Sequence, residues 1–109
     1  MKKILLLLAF LALPIRSGSF VSGSATCPAS GNAQVSTTSY FLYQLTVQAN
    51  FANAGKVYVG GSNVSTSTGA VLAAGYSYTV QGQSGSVNPA TLYFACGTSS
   101  DGITWVGAQ

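Results

Sequence analysis

Acid–base chemistry is what this chain lacks first. It contains no histidine, one acidic residue, Asp101, and four basic ones, of which Lys2, Lys3 and Arg16 crowd the N-terminus and Lys56 alone lies further on. A Ser-His-Asp relay has no imidazole here, a glycosidase pair has no second carboxylate, and a hard-cation cage has no set of charged oxygens. Serine and threonine are plentiful, but no base stands by to activate them. Two cysteines without a histidine do not make a zinc site. These shortages point away from an enzyme, so no catalytic residue, metal site or cofactor is expected. Asp101, followed by Gly102, reads as a turn residue.

Positive charge is scarce where it would matter. The formal charge of +3 belongs to the leader, and past residue 25 only Lys56 and Asp101 remain, which cancel. With no basic face to neutralise phosphates, nucleic acid is not an expected partner. A near-neutral surface has little colloidal repulsion and suits a protein that assembles or sits in a lattice.

Long apolar runs are also missing, with one exception. Residues 4–13 are unbroken apolar, preceded by Lys2-Lys3 and ended by Pro14. That is the layout of an export signal, and about ten residues fall short of the roughly 20 that a spanning helix needs. Gly23-Ser24-Ala25 supplies small residues for a signal peptidase, so we expect residues 1–25 to be a signal segment cleaved after Ala25, with a cut after Ser19 as the alternative, and residues 26–109 to form one domain. Cleavage would leave no membrane span. In an exported chain the two cysteines, Cys27 and Cys96, are expected to pair. The bridge would close a loop of about seventy residues, adding about 4 kcal/mol in the chain-entropy model.

What is present in quantity is period-two patterning. From Phe41 the chain alternates, with Phe41, Tyr43, Leu45, Val47, Ala49 and Phe51 on one side and Leu42, Gln44, Thr46, Gln48 and Asn50 on the other, which predicts a half-buried strand with one core face and one mostly polar face. Asn53-Ala54-Gly55 is expected to turn it back as a hairpin into a strand carrying Val57, Tyr58 and Val59. Residues 62–69 read as a surface loop, Ala74-Gly75 as a turn into a strand over 76–80, residues 91–96 as a strand buried on both faces, and Ile103 and Trp105 as one face of a terminal strand. About six or seven short strands and no helix after the signal predict an all-β fold, a small β-sandwich or jelly-roll-like barrel.

The run Val57-Tyr58-Val59-Gly60-Gly61-Ser62-Asn63-Val64, followed by Thr68-Gly69, Leu72 and Ala74-Gly75, resembles a pattern in small all-β structural domains of tailed-bacteriophage virions, the head-decoration and fibre type. The resemblance extends over residues 41–106, with Leu92-Tyr93-Phe94-Ala95 similar to a later strand of such domains. It implies a non-enzymatic virion component whose partners are other virion proteins or further copies of itself, and it brings no catalytic residues. The export signal is a departure from that family. The alternative expectation is an exported bacterial β-domain, periplasmic or extracellular, that binds carbohydrate or another surface partner. Flat aromatic rings stack on sugars, and among the six tyrosines and Trp105 the candidates are Tyr76 and Tyr78, two apart on one face of a strand. The competing role for all of these rings is packing between strands. Asn63-Val64-Ser65 matches a glycosylation sequon.

Overall fold

Alternation of apolar and polar residues decides where the strands lie. The computed structural model describes residues 19–83 and 85–109; the apolar run of residues 4–13 lies outside them. The strands are β1 (Phe20–Thr26), β2 (Asn32–Gln34), β3 (Gln44–Ala49), β4 (Val57–Gly60), β5 (Ala70–Leu72), β6 (Ser77–Gln81), β7 (Tyr93–Cys96) and β8 (Gly102–Ala108), with a single 3-10 turn at Pro89–Thr91. In β3, Leu45, Val47 and Ala49 are buried while Gln44, Thr46 and Gln48 are not, as period two requires. Consecutive Phe94 and Ala95 in β7 are both buried, the expected mark of a strand covered on both faces.

The strands form two four-stranded antiparallel sheets, ordered β1-β8-β3-β6 and β2-β7-β4-β5. First pairs with last, second with seventh, third with sixth and fourth with fifth, and the contacts β8 to β3 and β7 to β4 complete the sheets. This is a β-sandwich with the strand order of a jelly roll. Leu45, Val47, Ile103 and Trp105 from the first sheet meet Val57, Val59, Leu72 and Phe94 from the second in one core. The bridge between Cys27 and Cys96, with Cα atoms 5.9 Å apart, joins the chain just past β1 to the end of β7, and so ties one sheet to the other.

Four sequence expectations are corrected. Among the described residues there are eight strands, against an expectation of about six or seven. β3 and β4 do not form a hairpin, because residues 50–56 carry the chain from one sheet to the other. The alternation of β3 does not continue to its ends: Leu42 is fully buried, while Phe41, Tyr43 and Phe51 are exposed. The cause is a change of partner, since Leu42 exchanges main-chain hydrogen bonds with Val87 at 2.8 and 2.9 Å, and Tyr43 donates its N–H to the Ala108 carbonyl. This breaks the regular ladder and shifts the phase by one residue.

Finally, the first described strand, β1, starts at Phe20, upstream of the expected irregular lead-in at Thr26. All of β1 is in register with β8, from Phe20 opposite Ala108 to Thr26 opposite Gly102. A cut after Ala25 would remove the strand that covers this edge of β8, whereas a cut after Ser19 leaves it whole. We therefore expect the natural protein to start at Phe20 by intact-mass measurement, and chains beginning at Thr26 to lose cooperative thermal unfolding while chains beginning at Phe20 keep it. A natural, cooperatively folded protein starting at Thr26 would contradict the role given to β1. Replacing both Cys27 and Cys96 by serine should lower unfolding free energy by about 4 kcal/mol in a urea titration, as the loop they close implies.

Candidate functional site

The single carboxylate of the chain is used inside the fold. Asp101 is only 4% exposed, and its two oxygens accept the backbone N–H groups of Ala54 and Gly55, each at 2.8 Å. Its carbonyl accepts from the Cys27 N–H at 2.9 Å. Next to it, the Asn53 side chain and the Gly102 backbone bond reciprocally, with Asn53 Nδ2 donating to Gly102 O and Gly102 N donating to Asn53 Oδ1, both at 2.9 Å. Asp101 does belong to a loop end, but its work is to hold residues 50–56 against the start of β8. Both of its oxygens are engaged by these N–H groups, and among the described residues no group of three His, Cys, Asp or Glu side chains gathers to hold a metal.

The aromatic candidates divide by position. Tyr40 packs on Trp105 with ring centroids 5.9 Å apart, and Tyr58 and Tyr93 are half-buried on the outside of the second sheet. Of these rings, Tyr40 packs against the core. Tyr78 lies opposite the buried Val47, so Tyr76 and Tyr78 share the inward side of the edge strand β6, from which they project 66% and 39% exposed. The ring of Phe51 lies against Gly75, which has φ of +82°, at the turn leading into β6. The principal surface depressions, of about 90 to 250 Å3, are lined by neither Tyr76 nor Tyr78.

A second feature is the outer face of the first sheet. Residues directly opposite one another in an antiparallel pair point to the same side. The registers therefore place Ser22, Val106, Thr46 and Thr79 in one cross-strand row, and Ser24, Thr104, Gln48 and Ser77 in the next. Phe20, Ala108, Gln44 and Gln81 make a third. Thr46 and Thr79 are hydrogen-bonded through their hydroxyls at 3.0 Å, and Gln48 Nε2 donates to the Gly75 carbonyl at 3.0 Å, so these side chains are held in place. A shallow depression of about 250 Å3 lies along Thr46, Gln48, Thr104 and Val106. Among the described residues no charged side chain stands on this face, and with Asp101 buried, Lys56 is the one that is exposed.

Sequence reading found the polar half of β3 but not the face it belongs to. Assembling the face needs the pairing of β3 with β6 and β8, strands distant in sequence, and needs β1, whose residues resemble a cleavage region.

No family model, curated protein or solved structure matches the chain. The residues that carry the resemblance to virion domains have packing roles here. Val57 and Val59 are core residues, and the 61–69 connection is pinned rather than loose: Val64 is buried, Asn32 Nδ2 donates to the carbonyls of Ser62 and Val64, and a Cβ on Gly69 would strike Val64 and the Val59 carbonyl. The motif is thus the skeleton of the β4-β5 hairpin. Asn63 is exposed in that connection.

Replacing Asp101 by alanine removes the carboxylate acceptor of two part-buried N–H donors. Hydrogen bonds to charged groups contribute roughly 1.5–3 kcal/mol each, so Asp101→Ala should cost about 3 kcal/mol or more in urea unfolding. Asp101→Asn, which keeps one acceptor oxygen, should fall between that variant and the parent.

Proposed function

We propose that this protein is a non-enzymatic structural or attachment module that works by presenting uncharged β-sheet surface to neighbouring proteins. The observation that carries the reading is the surface itself, in which Lys56 is the one exposed charged side chain among the described residues. Ions resist removal from water far more than hydroxyls and amides do, so a surface of Ser, Thr, Gln and Asn packs against a neighbour at low desolvation cost and still hydrogen-bonds across the contact. The outer face of the first sheet, with its ordered Thr46 and Gln48, is the part best suited to such contact. The bridge between Cys27 and Cys96, and the lack among the described residues of a helix long and apolar enough to cross a membrane, are compatible with an exported or extracellular protein.

The finer reading is a component of a phage particle, a head decoration or fibre module. It rests on the resemblance of residues 57–75, and the jelly-roll order accords with it, since that architecture serves viral capsid and lectin domains alike. Fold alone does not choose between those two uses. The exposure of Tyr76 and Tyr78 beside Phe51 supports a second reading, an exported domain that holds carbohydrate on this aromatic edge.

Fractionation of the native source separates them. A structural component should sediment with particles in many copies, and Thr46→Lys, which places a charge in the middle of the sheet face, should release it while lowering thermal stability only by the loss of the Thr46–Thr79 hydroxyl bond. Recovery only as a free protein that binds a glycan, with binding lost in Tyr76→Ala, would overturn the structural reading in favour of the carbohydrate one.

A further inference from the structure

The outer edge of β1 is built to be paired. Ser19 O accepts from Gln109 N, and Cys27 N donates to Asp101 O, each at 2.9 Å, which fixes the phase of the β1 ladder against β8. Main-chain groups in an antiparallel strand alternate between its two sides, so the odd residues from Ser19 to Cys27 bond to β8. Phe20, Ser22, Ser24 and Thr26 then direct their N–H and C=O groups away from the sheet. β1 ends the sheet order, and among the described residues no strand pairs with that side.

Natural edges are blunted by lysine, proline, bulges or shortness, because a free ladder is a template for another chain. β1, Phe-Val-Ser-Gly-Ser-Ala-Thr over seven residues, has none of these devices. The edges β2 and β5 are three residues long, and β6 has five, flanked by the turn at Ala74-Gly75 and by Gly82.

We propose that β1 is a homodimerisation edge, and that two copies join β1 to β1 in antiparallel fashion about a two-fold axis at Gly23. The inference deepens the attachment reading by naming one neighbour, a second copy of this chain. The geometry selects that partner because the edge is complementary to itself. Outward residues must face outward residues, and the register with the greatest overlap sets Phe20 against Thr26 of the other copy and Ser22 against Ser24, which brings the two Gly23 residues together at the axis. That central position is a pair without mutual hydrogen bonds, where strands approach most closely and side chains meet first. Glycine leaves the room open there; a Cβ on Gly23 would lie 2.8 Å from Trp105 Nε1. Val21 and Ala25, half-buried at the open margin of the core, would face each other across the axis and be covered. No charge on β1 opposes the approach, and the interface is isologous, so assembly closes at two copies. The two outer faces would run together as one eight-stranded uncharged surface.

Trp105, the one tryptophan of the chain, reports on this edge. Its ring lies under Gly23 and lines a groove of about 220 Å3 between β1 and β2, together with Ser24, Gln34 and Thr37. Its indole N–H has no acceptor among the described residues, and a Cβ on Gly23 would lie directly against that nitrogen. Pairing at Gly23 would change its surroundings.

The test uses the oxidised protein as the expressing cell processes it, in sedimentation equilibrium with tryptophan emission recorded across the same dilution series. Wild type should show a monomer–dimer equilibrium whose transition coincides with a shift in Trp105 emission. Ser24→Pro removes an outward N–H while sparing the bonds to β8, a place where edge strands tolerate proline. It should raise the dimer dissociation constant at least tenfold with thermal unfolding nearly intact, and Ser22→Lys should do the same by charge. A wild type that stays monomeric at the highest soluble concentration, or dimers indifferent to both substitutions, would overturn the proposal. Open-ended oligomers would also overturn it, indicating that β1 meets β6 of the next copy. Particle attachment that persists in a monomeric Ser24→Pro protein would leave the attachment reading in place and show that the dimer is not its means.

Discussion

The fold hangs on the hydrogen bonds from Ala54 and Gly55 to Asp101. In jelly-roll order almost every step along the chain changes sheet, and only β4 and β5 are consecutive strands that also pair. Local hairpins therefore do little to hold this architecture, and its crossings must be fixed by other means. At one end of the sandwich the Asp101 carboxylate, the reciprocal Asn53 and Gly102 bonds and the Cys27 to Cys96 bridge clamp three crossings together. Two charge-assisted hydrogen bonds at roughly 1.5–3 kcal/mol each and a bridge at about 4 are large beside the 5–15 kcal/mol that typically separates folded from unfolded domains.

The same placement shapes the surface. An acid that satisfies main-chain N–H groups inside the fold contributes no charge outside it, which leaves hydroxyls, amides and a few rings to meet the surroundings. Such a surface neither steers a charged ligand over distance nor repels a like copy of itself. On the proposed reading contact is made by shape and hydrogen bonding, along the sheet face through Thr46 and Gln48 and along the outer edge of β1. The feature that stabilises the domain and the feature proposed to make it useful thus share a cause, the placement of Asp101 inside the fold.

Much of the fold was legible where one strand explains itself. The alternation of Leu45, Val47 and Ala49, the doubly buried Phe94 and Ala95, the pairing of Ile103 with Trp105 on one face and the Cys27 to Cys96 bridge all follow from local pattern or from cysteine count. What could not be read depends on partners remote in sequence. Leu42 leaves the phase of β3 because Val87 claims its main chain, and residues 50–56 look like a hairpin turn until Asp101 is seen holding them across the gap between sheets. β1 was hidden for a different reason: Gly23, Ser24 and Ala25 are small enough for a signal-peptidase site, and the same small size lets the strand pass over Trp105 at Gly23. Of the candidate site, Tyr76 and Tyr78 were visible as a pair on one face, whereas the sheet face and the free edge needed the register of four strands.

The central claim is that this domain engages its neighbours through uncharged surface. The most direct measurement is the fraction of protein that remains with the particles or surfaces from which it is isolated as they are washed in rising salt. Ionic contacts are screened over about 10 Å at 0.1 M and about 3 Å at 1 M ionic strength. The account predicts retention that is essentially constant across that range. Progressive release as salt rises would mean that ion pairs carry the attachment, and would contradict it.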